Sequence, residues 1–385
     1  MEFVELSDAE FRKFEQKNKC GNFFQSVERK ELRSKMGWAT HLLGVKEGNK
    51  VLAGGFLMMR DGNALVQLGP ILNYEDKKVL KFWIKNVIKF AKEQNAICLE
   101  VFPPYVICER GVKGEVLSEQ PEDEVMKCFI DAGFEYEGKT IELENKANRW
   151  MAVKKLDGLT DMAAVRATYK KNVRNKLRKI SPELEVYELK SKHELPEFAY
   201  VVDESNNKND VVSRSLAYYE WMWDAWGDNL RVILARRKED GAVVAGRMLI
   251  YHPNEVVSFI SGTAQNFKKY NGMTFLQDWL LEDCLKRGIK RVNFYGIDGI
   301  FEPSNHLLEF KSGFGVVVEE YIGGFRLVLD ERRYKIRKVR DGALGFARKV
   351  KHESIALATK LRKRQTKVVR KISASGSEEK EAKKS

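Results

Sequence analysis

The chain has 385 residues, 43% of them apolar with seven tryptophans, enough for two domains of ordinary size, each with its own core. Its net charge of +13 is unevenly placed: of 68 basic and 55 acidic residues, 19 and 6 fall in the last 55, leaving 49 of each before Glu331. The sequence has no run of eighteen apolar residues and no signal-peptide core in Met1-Glu-Phe-Val-Glu. Its five cysteines (Cys20, Cys98, Cys108, Cys128, Cys284) show no Cys-x-x-Cys spacing, so a spanning helix, a disulfide framework and a zinc site are excluded and a reducing cytoplasm is expected.

After an acidic helical stretch, Asn22-Phe-Phe-Gln-Ser leads into a predicted helix over 27–36 and a strand over 41–45. Two strands, 51–59 and 64–68, flank Asp61-Gly62, a hairpin signal, and Gly69-Pro70 ends the second. Leu80, Phe82, Trp83, Val87, Ile88, Phe90 and Ala91 give an amphipathic helix over 77–94. A strand over 97–102 stops at Pro103-Pro104, a helix over 121–132 runs to Gly133-Phe134, and a strand lies around 150–153.

The second half repeats this order: strands 231–235, 243–251 and 256–262, a helix over 274–287 and a strand over 291–295. Val51-Leu-Ala-Gly-Gly answers to Val243-Val-Ala-Gly-Arg. The next strand-ending glycine follows by 15 residues in the first half (Gly54 to Gly69) and 16 in the second (Gly246 to Gly262). The pattern predicts an internal duplication of an α/β (α+β) unit with mixed sheets, divided as 1–155, 156–330 and a basic tail, 331–385. One linker helix over 161–180 would set Lys170, Arg174 and Arg178 on one face. Beyond it, Tyr218, Tyr219, Trp221, Trp223 and Trp226 load a helix that packs on a core, with Arg214 at its start facing a cleft.

The chemistry centres on Asn293-Phe-Tyr-Gly-Ile-Asp-Gly299 and Leu308-Glu-Phe-Lys-Ser-Gly-Phe-Gly315: a buried strand, a glycine turn and a short helix carrying Lys311. An ammonium at the end of a buried strand is suited to steadying a developing negative charge; a surface lysine with its head in water is the plainer reading. Asp298 either takes a proton from an attacking ammonium or simply forms the Asp-Gly turn. Five scattered histidines and the lack of a Gly-x-Ser-x-Gly elbow speak against nucleophilic catalysis and against a metal site. Where acetyl-CoA enzymes cradle a pyrophosphate, this chain has Asn266-Phe-Lys-Lys-Tyr-Asn-Gly-Met273, with one glycine. Lys268 and Lys269 remain as phosphate contacts there. In the tail, apolar residues recur every third or fourth position from Ile336 to Ile372 among lysines and arginines. That suits an amphipathic helix on an anionic membrane surface, backbone binding to tRNA, or docking on a protein surface, and a polar end follows.

Tyr295-Gly-Ile-Asp-Gly299, Glu309-Phe-Lys-Ser-Gly-Phe-Gly315 and Glu320-Tyr-Ile-Gly323, set on duplicated acetyltransferase-like units, resemble the FemABX peptidyltransferases over about 23–328. The resemblance implies two GNAT-like domains, no cofactor, and transfer of an amino acid (Ala, Ser or Gly) from aminoacyl-tRNA. The acceptor it implies is the side-chain amine of residue three of the peptidoglycan stem peptide, on lipid II or the UDP-MurNAc-pentapeptide. It also implies a cytoplasmic monomer, peripheral on the inner face of the plasma membrane. The family's catalytic lysine falls on Lys311, its precursor-holding arginine and tyrosine on Arg214 and Tyr218, and a substrate-contacting lysine on Arg33, eight residues after Gln25. Lys170, Arg174 and Arg178 join Lys268 and Lys269 as tRNA or phosphate contacts. Two positions depart: Phe102 replaces an aspartate before Pro103, and Ile260 replaces a tyrosine. No heptads sustain a coiled-coil arm between Leu216 and Asn293. The alternatives are a non-catalytic RNA- or membrane-binding protein on the same frame and an acetyl-CoA-dependent N-acyltransferase.

Overall fold

The computed structural model describes residues 1–340 except 139, 143–146, 181 and 210. The first half runs β1 (Glu2–Glu5), α1 (Asp8–Lys17), α2 (Val27–Lys35), β2 (Ala39–Glu47), β3 (Lys50–Arg60), β4 (Asn63–Gln67), β5 (Ile71–Leu72), α3 (Lys77–Glu93), β6 (Cys98–Phe102), β7 (Val106–Arg110), β8 (Val116–Glu119), α4 (Asp123–Ile130) and β9 (Glu135–Tyr136). Side-chain caps fix the helix starts: Ser7 and Glu10 form a capping box on α1, Ser26 accepts from the Arg29 amide, and Asp76 accepts from that of Val79. Asp61 (φ 52°) and Gly62 (φ 74°) make the left-handed turn that joins β3 to β4. On α3, Leu80, Trp83, Val87 and Ala91 of the expected apolar face are buried together with Ile84, while Phe82, Ile88 and Phe90 are half-buried at its margins.

The second half runs β10 (Trp150–Lys155), α5 (Met162–Ala167), α6 (Lys171–Ile180), β11 (Leu184–Glu188), α7 (Leu195–Lys208), α8 (Leu216–Trp226), β12 (Leu230–Arg237), β13 (Val243–His252), β14 (Glu255–Thr263), α9 (Gly272–Lys286), β15 (Arg291–Ile297), α10 (His306–Ser312), β16 (Val317–Tyr321) and β17 (Phe325–Val328). The linker is two helices rather than the single one its periodicity predicts. Tyr169 turns inward to donate to Asp278 at 3.1 Å, and Arg174 donates to the Tyr169 carbonyl at 2.5 Å. The Lys170 amide leaves the helix for the Gly313 carbonyl at 2.9 Å. Lys170 thus stands at the N-terminal end of α6, its carbonyl accepting from the Arg174 amide at 3.2 Å.

Two sheets carry the duplication. The first has the order β1-β2-β3-β4-β6-β17-β9, with β5 also on β3; the second is β11-β12-β13-β14-β15-β10-β16-β7-β8. In each, an antiparallel meander ends in a parallel pair, β4 with β6 and β14 with β15, whose crossover is α3 or α9. The halves exchange strands. β7 and β8 leave the first half to pair with β16, and β17 returns to lie between β6 and β9. A single cut at residue 155 does not separate the sheets, because β7, β8 and β10 all belong to the second; pairing partners some two hundred positions apart leave no local pattern to read. Buried Glu320 on β16 marks the exchange. It accepts from Arg110 of β7 at 2.8 Å and from fully buried Arg149, whose Nε donates to the Tyr321 carbonyl at 3.0 Å.

Three apolar cores follow: one around α3, one around α9, and one between the sheets, containing Phe23, Phe24, Phe102, Met151, Tyr218 and Tyr321. Residues 1–329 form one compact unit. In the second unit, 330–385, residues 331–340 are helical, and the rest of the expected amphipathic helix lies outside the described residues.

Candidate active site

β14 and β15 pair only through Val256–Val292 and Val257–Asn293, although β14 continues to Thr263 and β15 to Ile297. Beyond that point β15 stays paired with β10, and side chains serve the edge that β14 has left. Tyr295 takes a φ of 71°, a strained value for a residue with a Cβ, and its amide donates to Asn293 Oδ1 at 2.8 Å. Its carbonyl and that of Gly296 accept from Lys311 Nζ at 3.1 and 2.8 Å. Asn305 holds the helix that presents this lysine: its Oδ1 accepts from the Leu308 amide at 3.0 Å, and its Nδ2 donates to the Asp298 and Ile300 carbonyls at 3.2 and 2.9 Å. Gly299 is required at the turn, because a Cβ there would overlap the Trp150 indole.

Lys311 is only 6% exposed, so it is not the solvated surface lysine of the plainer reading. Burial, with the charge of Arg247 adding and the Asp298 carboxylate opposing, pushes its ammonium down to about 7. Near neutral pH such a group can hold a charge and also release its proton. Leu308 and Phe314 pack into the core around α9, and Arg247 bonds Gln277 of α9, which places the lysine on the α9 side of the sheet.

The Tyr295 ring lies on the other side, stacked 6.2 Å from Phe24 and edge-on 5.4 Å from Phe259. There α2 and the start of α8 bring three arginines together. Arg29 lies 5.4 Å over Phe24 and donates to Gln67 Oε1 at 3.2 Å; Arg33 lies 5.5 Å over Trp38, and Arg214 4.8 Å over Tyr218. None of the three makes an ion pair among the described residues, and the Nε atoms of Arg29 and Arg33 are buried without partners. Burial, then Arg29, with Arg214 adding, pushes the Arg33 guanidinium down to about 9, still charged at neutral pH. Three guanidiniums without carboxylate partners among the described residues suit an anion chemically.

A cleft of about 1310 Å³ opens between the sheets, with Phe24 and Leu68 on one wall and Glu255, Arg291, Asn293, Glu319 and Tyr321 on the other. Arg291 donates to Glu255 at 2.9 Å and to both oxygens of Glu319, so two carboxylates share one guanidinium. At the end of β6 the buried Phe102 ring packs against Gly324, which has no side chain to block it, and the Glu137 carboxylate lies against the same glycine.

The structure thus brings Arg33, Arg214 and Tyr218 together and sets Lys311 and Asp298 behind Tyr295. The other basic candidates lie apart. Lys170 donates to Glu309 and Ser312 and so props α10; Arg178 bonds Asn175; Lys268 and Lys269 stand exposed on the short 3-10 turn Gln265–Tyr270. Sequence reasoning missed Arg29, although it sits one helical turn before Arg33. It also missed Arg247, although a lone charge inside the apolar run Val243–His252 is itself a signal.

The FemAB family model matches residues 6–239 and 234–340. The aminoacyltransferase FemB of Staphylococcus epidermidis is 23% identical, over 84% of this chain and 94% of its own length. Among solved structures, FemX superposes with a TM-score of 0.76 at 14% identity, covering 87% of this chain and 99% of that one. A tandem GNAT protein of the clavulanic acid pathway gives 0.51 at 12%, covering 85% and 98%. These two establish the fold, a pair of GNAT-like units, and the family match spans nearly all of both: the chain belongs to the FemAB family and is an acyltransferase.

Proposed function

We propose that the chain moves an aminoacyl group from a charged tRNA to the side-chain amine of residue three of the peptidoglycan stem peptide. The observation that carries this reading is the buried Lys311 at the point where β14 and β15 part. The parting gives the sheet two usable sides. The aminoacyl ester approaches from the α9 side, and the acceptor approaches from the side of the Tyr295 ring, its pyrophosphate against Arg33, Arg214 and Tyr218. As the acceptor nitrogen attacks the ester carbon, the carbon–oxygen bond to the ribose breaks and its oxygen needs a proton. The Lys311 ammonium steadies that oxygen and supplies the proton, and the proton shed by the acceptor nitrogen restores the lysine. Asp298, which favours the charged form of Lys311, supports the donor state.

The test supplies purified enzyme with labelled alanyl-, seryl- or glycyl-tRNA and either lipid II or the UDP-precursor, and follows label into the peptide. No transfer with any pairing would reject the reading. Arg33→Ala and Arg214→Ala should each raise KM for the acceptor by about ten-fold or more, as loss of a charged hydrogen bond worth roughly 1.5–3 kcal/mol predicts. kcat should change little, and rising salt should weaken wild-type binding more than that of either variant. Equal losses in kcat and kcat/KM would place these residues elsewhere in the mechanism. The basic tail is a second contact with tRNA or with anionic lipid. Truncation at Glu331 should weaken binding to one of them, and unchanged affinity for both would remove the tail from the scheme.

A further inference from the structure

Between Asp161 and Glu183 the chain has seven basic residues and no acidic one. The fold neutralises two of them: Arg166 meets Asp278 at 2.6 Å, and Lys170 meets Glu309 at 3.0 Å. The other five, Lys171, Arg174, Lys176, Arg178 and Lys179, stand exposed on α6, and none makes an ion pair among the described residues. Their placement does not serve the helix. Arg174 and Arg178 are like charges one turn apart, and Lys171 occupies the first turn, where the helix dipole favours an acid and none is present. Val173, Leu177 and Ile180 form the buried face, packed in the core around α9.

The same helix is tied to the one that carries Lys311. At its N-terminal end the Lys170 amide donates to the Gly313 carbonyl at 2.9 Å and Lys170 Nζ donates to Ser312 Oγ at 2.7 Å. Val173 lies so close that a Cβ on Gly313 would overlap its Cγ2. From this anchor α6 extends for ten residues, about 15 Å, and packs on α9. Helical spacing sets Lys171, Arg174 and Arg178 in one stripe about 10 Å long, with Lys176 and Lys179 beside it. Building on the charged-tRNA donor above, we propose that the outward face of α6 docks the sugar-phosphate backbone of that RNA, on the side of the sheet from which its ester reaches Lys311. A row of unpaired cations suits successive phosphates, whose contacts fix position without reading bases. A lipid surface suits it less, because an interfacial helix lays its apolar face into the bilayer and α9 already covers that of α6. Helix α3 bears a similar exposed row, Lys81, Lys85 and Lys89, but packs in the core of the first sheet.

Binding of a short RNA hairpin with a single-stranded 3′ end to the full chain tests this, followed by fluorescence anisotropy from about 50 to 200 mM salt. Each phosphate contact on a duplex contributes about 0.9 to the slope of log K against log salt. Lys171→Gln, Arg174→Gln and Arg178→Gln together should therefore flatten the slope by roughly 2 to 3 and weaken low-salt binding about ten-fold or more. Lys176→Gln with Lys179→Gln changes two side chains that bond nothing among the described residues; it should flatten the slope by about 1 to 2 and guards against a folding fault. Arg174→Lys with Arg178→Lys keeps the charge and should keep the slope. Lys81→Gln, Lys85→Gln and Lys89→Gln, an equal loss of charge on α3, should leave it unchanged. An α6 variant with the wild-type slope, or an α3 variant that loses as much, overturns the proposal. So does an α6 variant that releases phosphatidylglycerol vesicles while it holds RNA as tightly as the wild type. A wild-type chain that binds no RNA at any salt overturns the donor reading beneath it instead.

Discussion

Lys311→Met should slow transfer by roughly 100- to 1,000-fold, the ~3–4 kcal/mol that one preorganised donor to a developing oxyanion contributes, and should leave a protein more stable than the wild type at pH 6 to 7. The second half of this expectation follows from burial. The ammonium goes from an ordinary value of 10.5 to about 7 on folding, so the folded state disfavours its charge. The shift corresponds to roughly 3–5 kcal/mol at about 1.4 per unit. Methionine fits the space but leaves the Tyr295 and Gly296 carbonyls without their donor, which returns about 1–3 kcal/mol. A net gain of up to about 4 kcal/mol below pH 7 remains. The sign runs opposite to that of a lysine in an ion pair. Between about 7 and 10.5 the unfolded chain binds more protons, so wild-type stability rises with pH through that window while that of the variant does not. Urea unfolding at pH 6.5, 8 and 9.5 checks the slope, and single-turnover transfer checks the rate. A variant that transfers normally, or that unfolds more easily at pH 6.5, refutes the corresponding half.

Arg149→Met should destabilise the fold by about 3–5 kcal/mol, the usual result of removing one partner from a buried ion pair. Its guanidinium joins Glu320 to the Tyr321 carbonyl at the seam where β7 of the first half meets β16 of the second. Without it, Glu320 keeps only Arg110 among the described residues, which is partly exposed and approaches one of its oxygens at 2.8 Å. The double variant Arg149→Met, Glu320→Leu should recover most of the loss, since replacing both partners strands no charge. Measured unfolding free energies that show less than about 1 kcal/mol for the single change would mean that the seam is held by apolar packing alone.

Local elements were legible wherever a local cause sets them. The Asp61-Gly62 turn, the stripe on α3 and the short lysine-bearing helix each follow from neighbours in sequence, and so does the correspondence of β3 and β4 with β13 and β14. The motif around Lys311 was legible for the same reason. What could not be read depends on distant partners: β1, β8 and β17 are short strands whose places are given only by what they pair with. The linker broke because Tyr169 finds Asp278 more than a hundred residues away. The candidate site divides along the same line. Arg33, Arg214 and Tyr218 were named through the resemblance, whereas their neighbours Arg29 and Tyr295, with its positive φ, became visible only when the sheets met.

The return of β17 to the first sheet bears on how the ribosome must deliver this protein. Until Phe325–Val328 emerge, near the end of the acyltransferase body, β6 has an open flank and β9 has no partner in its sheet. An exposed strand margin of that kind recruits foreign chains, so nascent forms stalled between residues 160 and 320 would be targets for chaperones and prone to clump. Neither half should survive as a separately expressed fragment, whereas the two supplied together should rescue each other by trading the strands each lacks.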